Sequence, residues 1–185
     1  RQNTSYNLFS VLRIETKEVL ICRVLADLLN PRGQHGMGSV YLELFLKEVL
    51  HWQAVNSDVV KHAVVTAEYL IDENRRIDLV IETAGQFLPV EVKILAGEQK
   101  AQCLDYYRFS RAIDPQTKVI YLTRFGTMPS AYSLSDGTER VPEADLICIS
   151  FKEHIIHWLE QCRNVSREEM KPLLTQFLDT IRTIT

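Results

Sequence analysis

No run of about 18 consecutive apolar residues occurs in this 185-residue chain, so no segment reads as a membrane-spanning helix. Cysteine is sparse and never closely paired. Cys22, Cys103, Cys148 and Cys162 form no Cys-x-x-Cys, and each sits in an apolar or amphipathic stretch where a free thiol packs as a small hydrophobe. That argues against a zinc ribbon and, at this length, against a disulfide scaffold. Neither sign of charge dominates: 21 Lys and Arg face 24 Asp and Glu, a formal net charge of -3. A wholly basic nucleic-acid-binding surface is excluded, whereas local basic clusters and a carboxylate metal site are compatible with that balance. Long Pro/Gly/Ser linkers, internal repeats and low-complexity tracts are lacking. One domain spanning residues 1–185 is therefore expected, with ordinary globular composition and enough apolar residues for a sizeable core. Gly33, Gly36 and Gly38 are not followed by Gly-Lys-Ser/Thr, which excludes a phosphate-loop nucleotide triphosphatase. No signal-peptide pattern is visible, and the chain begins at Arg1, which is compatible with a truncated N-terminus. The reduced cysteines suit a cytoplasmic setting.

Hydrophobic spacing predicts a helix over Ser10–Leu29, stopped by Asn30-Pro31. A glycine-rich loop follows, and Ser39 is expected to cap a second helix reaching about Trp52. A strand is expected over Ala63–Ile71, then a turn at Asp72–Arg75. The segments Arg76–Glu82 and Phe87–Leu95 flank a short Gly-containing turn and read as a β-hairpin. Glu98–Arg111 reads as helix, Lys118–Thr123 and Leu146–Ser150 as strands, and Arg124–Asp145 as loop. Two helices close the chain, the last starting at Ser166, whose Ser-x-x-Glu spacing to Glu169 matches a capping box. This order predicts an α/β fold with a mixed central β-sheet flanked by helices on both faces.

The hairpin carries the chemistry. In its second strand Val90, Val92 and Ile94 alternate with Glu91 and Lys93, so the two charged side chains share one face. Asp78 lies on the neighbouring strand. Carboxylates on adjacent strands suit Mg²⁺, which is held by one or two carboxylates plus waters and substrate phosphate. Asp78 and Glu91 fit as ligands, and the backbone carbonyl of Val92 is a candidate third. A metal there would polarise a phosphate and lower the pKa of a bound water. Lys93 is placed to position or deprotonate that water, or to stabilise transition-state charge. The competing reading of Glu-x-Lys alone is a surface ion pair on an exposed strand; the apolar surroundings and Asp78 speak against it.

The pattern Arg76-Ile-Asp78, Glu91-Val-Lys93, Glu98-Gln99 and Tyr106-Tyr107 resembles the PD-(D/E)XK nuclease superfamily, most closely a bacterial and phage-type branch with an N-terminal signature helix. Glu18, Leu28-Leu29-Asn30-Pro31, His35-Gly36 and Ile147-Cys-Ile-Ser150 through His157-Trp158-Leu159 are similar to that branch. The resemblance covers about residues 6 to 160. It implies a restriction-endonuclease-like core in which Asp78 and Glu91 bind Mg²⁺ (Mn²⁺ substituting), Lys93 acts on the attacking water, Glu18 completes the metal site and Gln99 contacts nucleic acid or orients the site. The implied activity is metal-dependent hydrolysis of DNA. Three departures stand out: Ile77 replaces the eponymous Pro, Ile21-Cys22 stand where the branch carries His-Ser, and Val92 stands where Asn is frequent.

Lys100, Arg108, Arg111 and Arg124 are candidates for phosphate contact, and His35 for approach to the site or to phosphate. Tyr106, Tyr107 and Phe109 are candidates for base stacking, although tyrosine at helical spacing more often packs in a core. Glu15 competes with Glu18, and Glu68 is open to facing the site. His154 and His157, three apart without completing ligands, read as satisfied histidines. DNA is the expected partner and a homodimer is compatible with the chain. The alternative to an enzyme is a silent nuclease-fold module that binds nucleic acid or a protein.

Overall fold

The computed structural model describes residues 6–83 and 85–185. It begins with helix α1, Leu8–Val11, and a 3₁₀ turn at Ile14–Thr16, followed by α2, Glu18–Leu29. The continuous helix expected from Ser10 is thus interrupted: Arg13 adopts a φ of 51°, a left-handed conformation that stops a helix. Helix α3, Val40–Leu44, runs into a π turn at Phe45–Val49, and α4 spans Ser57–Val60. Ser39 precedes α3 but does not cap it; its hydroxyl donates to Glu43 Oε1 instead.

The strands are β1, Val64–Leu70; β2, Arg76–Thr83; and β3, Gln86–Lys93. Helix α5, Gln102–Ile113, leads to β4, Val119–Thr123. The short helix α6, Ala131–Leu134, lies in the segment expected to be loop throughout, and β5 is Leu146–Ser150. A π turn at Phe151–Ile155 opens α7, Ile156–Val165, and α8 is Lys171–Arg182. The capping box expected at Ser166 does not form. The Ser166 hydroxyl is turned back to the Cys162 carbonyl at 2.6 Å, and α8 starts five residues later with Pro172 in its first turn.

The sheet order is β1-β2-β3-β4-β5. The first three strands pair antiparallel, and β4 and β5 add parallel to β3. A mixed sheet follows directly: the hairpin needs only a short turn, whereas the parallel β3–β4 pair needs a crossover, supplied by α5. One face, with Leu79, Ile81, Val90, Val92, Ile120 and Leu122, packs against α2, α3, α7 and α8. The other lies under α5, where Val119 and Tyr121 meet Leu104 and Tyr107, and Val80 and Phe87 meet Tyr106. Helices therefore cover both faces, as the element order predicts.

Trp158 of α7 anchors the larger core. It is fully buried, stacks edge-on against Phe45 at 5.6 Å, and donates from its indole to the Tyr41 carbonyl at 2.9 Å. Trp158→Ala is expected to lower unfolding stability by about 3–5 kcal/mol, from lost contacts and the cavity left behind. Urea denaturation of the purified variant measures it.

Candidate active site

The alternation in β3 survives in three dimensions. Val90 and Val92 enter the large core, while Glu91 and Lys93 face the α5 side. The β2–β3 ladder starts at Leu79↔Val90, so continuing its register sets Asp78 opposite Glu91. Directly opposed residues of an antiparallel pair project to one face, which brings the two carboxyls together. The ladder itself does not reach them. Instead Asp78 Oδ2 accepts from the Val92 amide at 2.8 Å, so the side chain takes over a backbone rung. The β1–β2 ladder also skips this level: Ala67↔Leu79 and Tyr69↔Ile77 pair, while Glu68 between them has a φ of 56°. A non-glycine residue in this conformation stores strain, and such strain concentrates at functional positions.

Glu91 is 1% exposed, and Lys93 Nζ lies 2.6 Å from its Oε1. The Lys93 ammonium meets Oε1, whereas Glu91 Oε2 is buried with no hydrogen-bond donor. Nearby, the side-chain oxygen of buried Gln102 is equally unsatisfied. Buried oxygens of this kind cost several kcal/mol unless a cation or ordered water meets them. These acceptors line a hollow of about 430 Å³ with Glu18, Asp78, Lys93, Gln99 and Tyr106. Among the described residues no three His, Cys, Asp or Glu side chains cluster as a metal site, so the donor set is the carboxylate pair. That set fits a hard dication that keeps waters and takes further oxygens from substrate, as Mg²⁺ does.

The electrostatics agree. Burial pushes the Asp78 carboxyl up, and the Val92 amide and the Lys93 charge offset only part of that. Burial and then the Asp78 charge push Glu91 up further, against the pull of Lys93. Burial disfavours the Lys93 ammonium, but Glu91, Asp78 and Glu18 together outweigh it and raise the Lys93 pKa above its ordinary value. The three titrate as one coupled group. Cys22, where the branch carries a polar residue, is buried beside these carboxylates; both effects push its thiol up and leave it inert.

The linker from β3 to α5 is clamped at several points. Glu18, the first residue of α2, accepts through Oε1 from the amides of Ile94, Leu95 and Ala96 at 2.6, 2.7 and 3.0 Å. Glu18 thus reaches the cleft expected for it, but one oxygen is committed to the backbone beside Lys93. Arg75 donates to Gln99 Oε1 at 2.7 Å and to Asp105 at 2.8 Å, and also grips the Lys100 carbonyl. Glu98 binds the Ser130 amide at 2.8 Å and the Tyr121 hydroxyl at 3.1 Å. These contacts, with Ala101 at a φ of 53°, delay α5 to Gln102, so Glu98 and Gln99 are not on the expected helix.

Several expected nucleic-acid contacts are engaged elsewhere. His35 is 4% exposed; its ring meets the Asn30 carbonyl at 2.9 Å and accepts from the Met37 amide at 3.0 Å, which organises the glycine-rich loop. Arg108 is paired to Glu139 at 2.7 Å and Asp136 at 2.8 Å. Arg111 lies over the Tyr107 ring, and the Tyr107 hydroxyl donates to Asp145. Lys100 is exposed, and Arg124 borders a second hollow beside Lys93. Tyr106 is buried in the site and donates to the Arg76 carbonyl at 2.6 Å, so it packs the cleft wall and offers no stacking face. His154 accepts from the Ser150 amide at 3.1 Å, as befits a satisfied histidine. Sequence reasoning missed Arg75, Arg76 and Gln102. The signals were present: two arginines just ahead of Asp78, and Gln102 one helical turn before Tyr106 on the α5 face that meets Glu91. Glu68 turns to Arg23 at 2.7 Å and Arg76 at 2.9 Å on the cleft rim.

A mixed sheet with a half-buried Asp, a buried Glu and a lysine at the end of its central hairpin defines an α/β protein of the restriction-endonuclease-like class. The family model of the PD-(D/E)XK nuclease superfamily matches residues 6–179, and the chain belongs to that superfamily, whose members are generally nucleases. Comparison with curated proteins and with solved structures returns no match.

Two outcomes follow from this geometry. Asp78 and Glu91 bind protons more tightly folded than unfolded. Their contribution therefore favours the fold at low pH and is lost as pH rises from the ordinary carboxylate range through the raised folded values. Asp78→Asn keeps an acceptor for Val92 and removes the repulsion. It is expected to flatten that fall and, at neutral pH without metal, to raise the melting midpoint by about 2–4 °C in differential scanning fluorimetry. Glu18→Ala is expected to speed amide exchange at Leu95 and Ala96 by about ten-fold, whereas Glu18→Gln largely preserves protection. Hydrogen-exchange mass spectrometry of the peptide spanning 90–100 reports it.

Proposed function

We propose that this chain is a metal-dependent nuclease domain that hydrolyses DNA phosphodiester bonds with a metal-activated water. The observation that supports it most is the buried Glu91 carboxylate, opposite Asp78, with the Lys93 ammonium against Oε1 and no donor at Oε2. An apolar replacement would be cheaper for the fold, so the arrangement makes sense as a cation seat.

Asp78 and Glu91 would hold Mg²⁺ or Mn²⁺, with the Val92 carbonyl as a further ligand. The bound metal supplies Lewis acidity toward a phosphate oxygen and a lower pKa for water. Asp78 stays oriented because the Val92 amide fixes one of its oxygens. Lys93, held protonated by the carboxylates around it, would set positive charge where the phosphate gains negative charge and would exchange a proton with the attacking water. Glu18 supports the site by holding the amides after Lys93 in place. Gln99, carried on a linker fixed by Arg75, faces the hollow that the phosphate would enter. Lys100 and Arg124 would meet the strand, and the rim arginines Arg23 and Arg76, both paired with Glu68, would add positive potential.

The expected behaviour is cleavage of DNA in Mg²⁺ or Mn²⁺, silenced by chelator. Asp78→Ala and Lys93→Ala are each expected to reduce the rate by about 10²–10⁴-fold while circular dichroism stays unchanged. Activity that survives both substitutions in folded protein rules the site out. DNA retained in a gel without cutting would instead identify a binding module.

A further inference from the structure

The loop after β4 presents exposed apolar surface beside the carboxylate row. Phe125 is 55% exposed and Met128 is 57% exposed. Both line a hollow of about 380 Å³ that shares Lys93 and Ala96 with the cleft described above. Two cations lie over the ring, offset from its centre. The Arg124 guanidinium lies 5.0 Å and the Lys152 ammonium 5.8 Å from its centroid. Glu98 also borders the hollow, but its oxygens are engaged by Ser130 and Tyr121.

The loop that carries the ring is held in shape before any ligand arrives. Thr123 Oγ1 accepts from the Gly126 and Thr127 amides, both at 2.9 Å, and the Lys152 amide donates to the Arg124 carbonyl at 3.1 Å. Gly126 has a φ of +78°, which a side-chain-bearing residue adopts only with strain. Arg124 is tethered through its Nε to the Ile184 carbonyl near the C-terminus. A fixed aromatic residue that is more than half exposed and carries cations over its ring complements a base and its phosphate. In a duplex the faces of the bases are already stacked on one another, so a flat ring gains little from it.

We propose that Phe125 is a stacking platform for an unpaired base, and that the strand reaching Lys93 is single-stranded. Arg124 and Lys152 neutralise the phosphates on either side of that base. The proposal rests on the nuclease reading for the strand's destination, but its test does not need turnover. Binding is measured by fluorescence anisotropy in chelator, with a dye-labelled oligothymidylate and a dye-labelled duplex hairpin. The wild-type chain is expected to prefer the single strand. Phe125→Ala is expected to weaken single-strand binding about ten-fold and leave duplex binding unchanged, whereas Phe125→Trp retains it. Equal loss for both probes, no loss, or no single-strand binding by the wild type overturns the platform. Metal-dependent cleavage with single-strand binding indifferent to Phe125→Ala would sink this inference and leave hydrolysis standing. Phe125-dependent binding without cleavage would do the reverse.

Discussion

Two acidic side chains facing each other across one sheet level, one half-buried and one buried, are the constraint around which this molecule is arranged. Asp78 and Glu91 fall opposite one another by the register of the central hairpin, and that register is dictated by the apolar residues on the other face. Slipping by one residue would turn Val90 and Val92 out of the core, so the fold cannot separate the carboxyls without losing its hydrophobic layer. Burial and mutual repulsion raise both pKa values, and the Lys93 charge relieves only part of the cost.

The neighbouring structure compensates for that cost locally. Asp78 replaces a missing ladder bond by accepting from Val92, and β1 bends at Glu68 at the same level. The linker beyond Lys93 is tied by Glu18 from α2, by Arg75 from the β1–β2 turn, and by Ser130 through Glu98. Each tie comes from a different part of the chain, so the charged level is braced from several elements. Such bracing holds polar groups in place ahead of substrate, which is what electrostatic catalysis requires.

The apolar alternation in β3 and the turn residues between β2 and β3 made the hairpin and its charged face legible from residues alone. The helix–strand order did the same for a mixed sheet covered on both faces. Boundaries fared less well, and for physical reasons. Arg13 and Ala101 adopt left-handed backbone that no local pattern announces, splitting one expected helix and delaying another. Ser166 has the spacing of a cap, yet its hydroxyl finds a nearer carbonyl on the preceding helix. His35 and Arg108 look available in a string of letters; both are satisfied by groups that only folding brings near.

The linear pattern by itself determined which residues are acidic, basic and apolar at period two, and hence that a carboxylate pair and a lysine would share one side of a hairpin. Tertiary structure decided how far those groups are buried, which of their oxygens lack donors, and which other charges remain available. Those properties depend on long-range neighbours such as Glu18, whose carboxylate meets amides 76 to 78 positions away, and no local period encodes contacts at that separation.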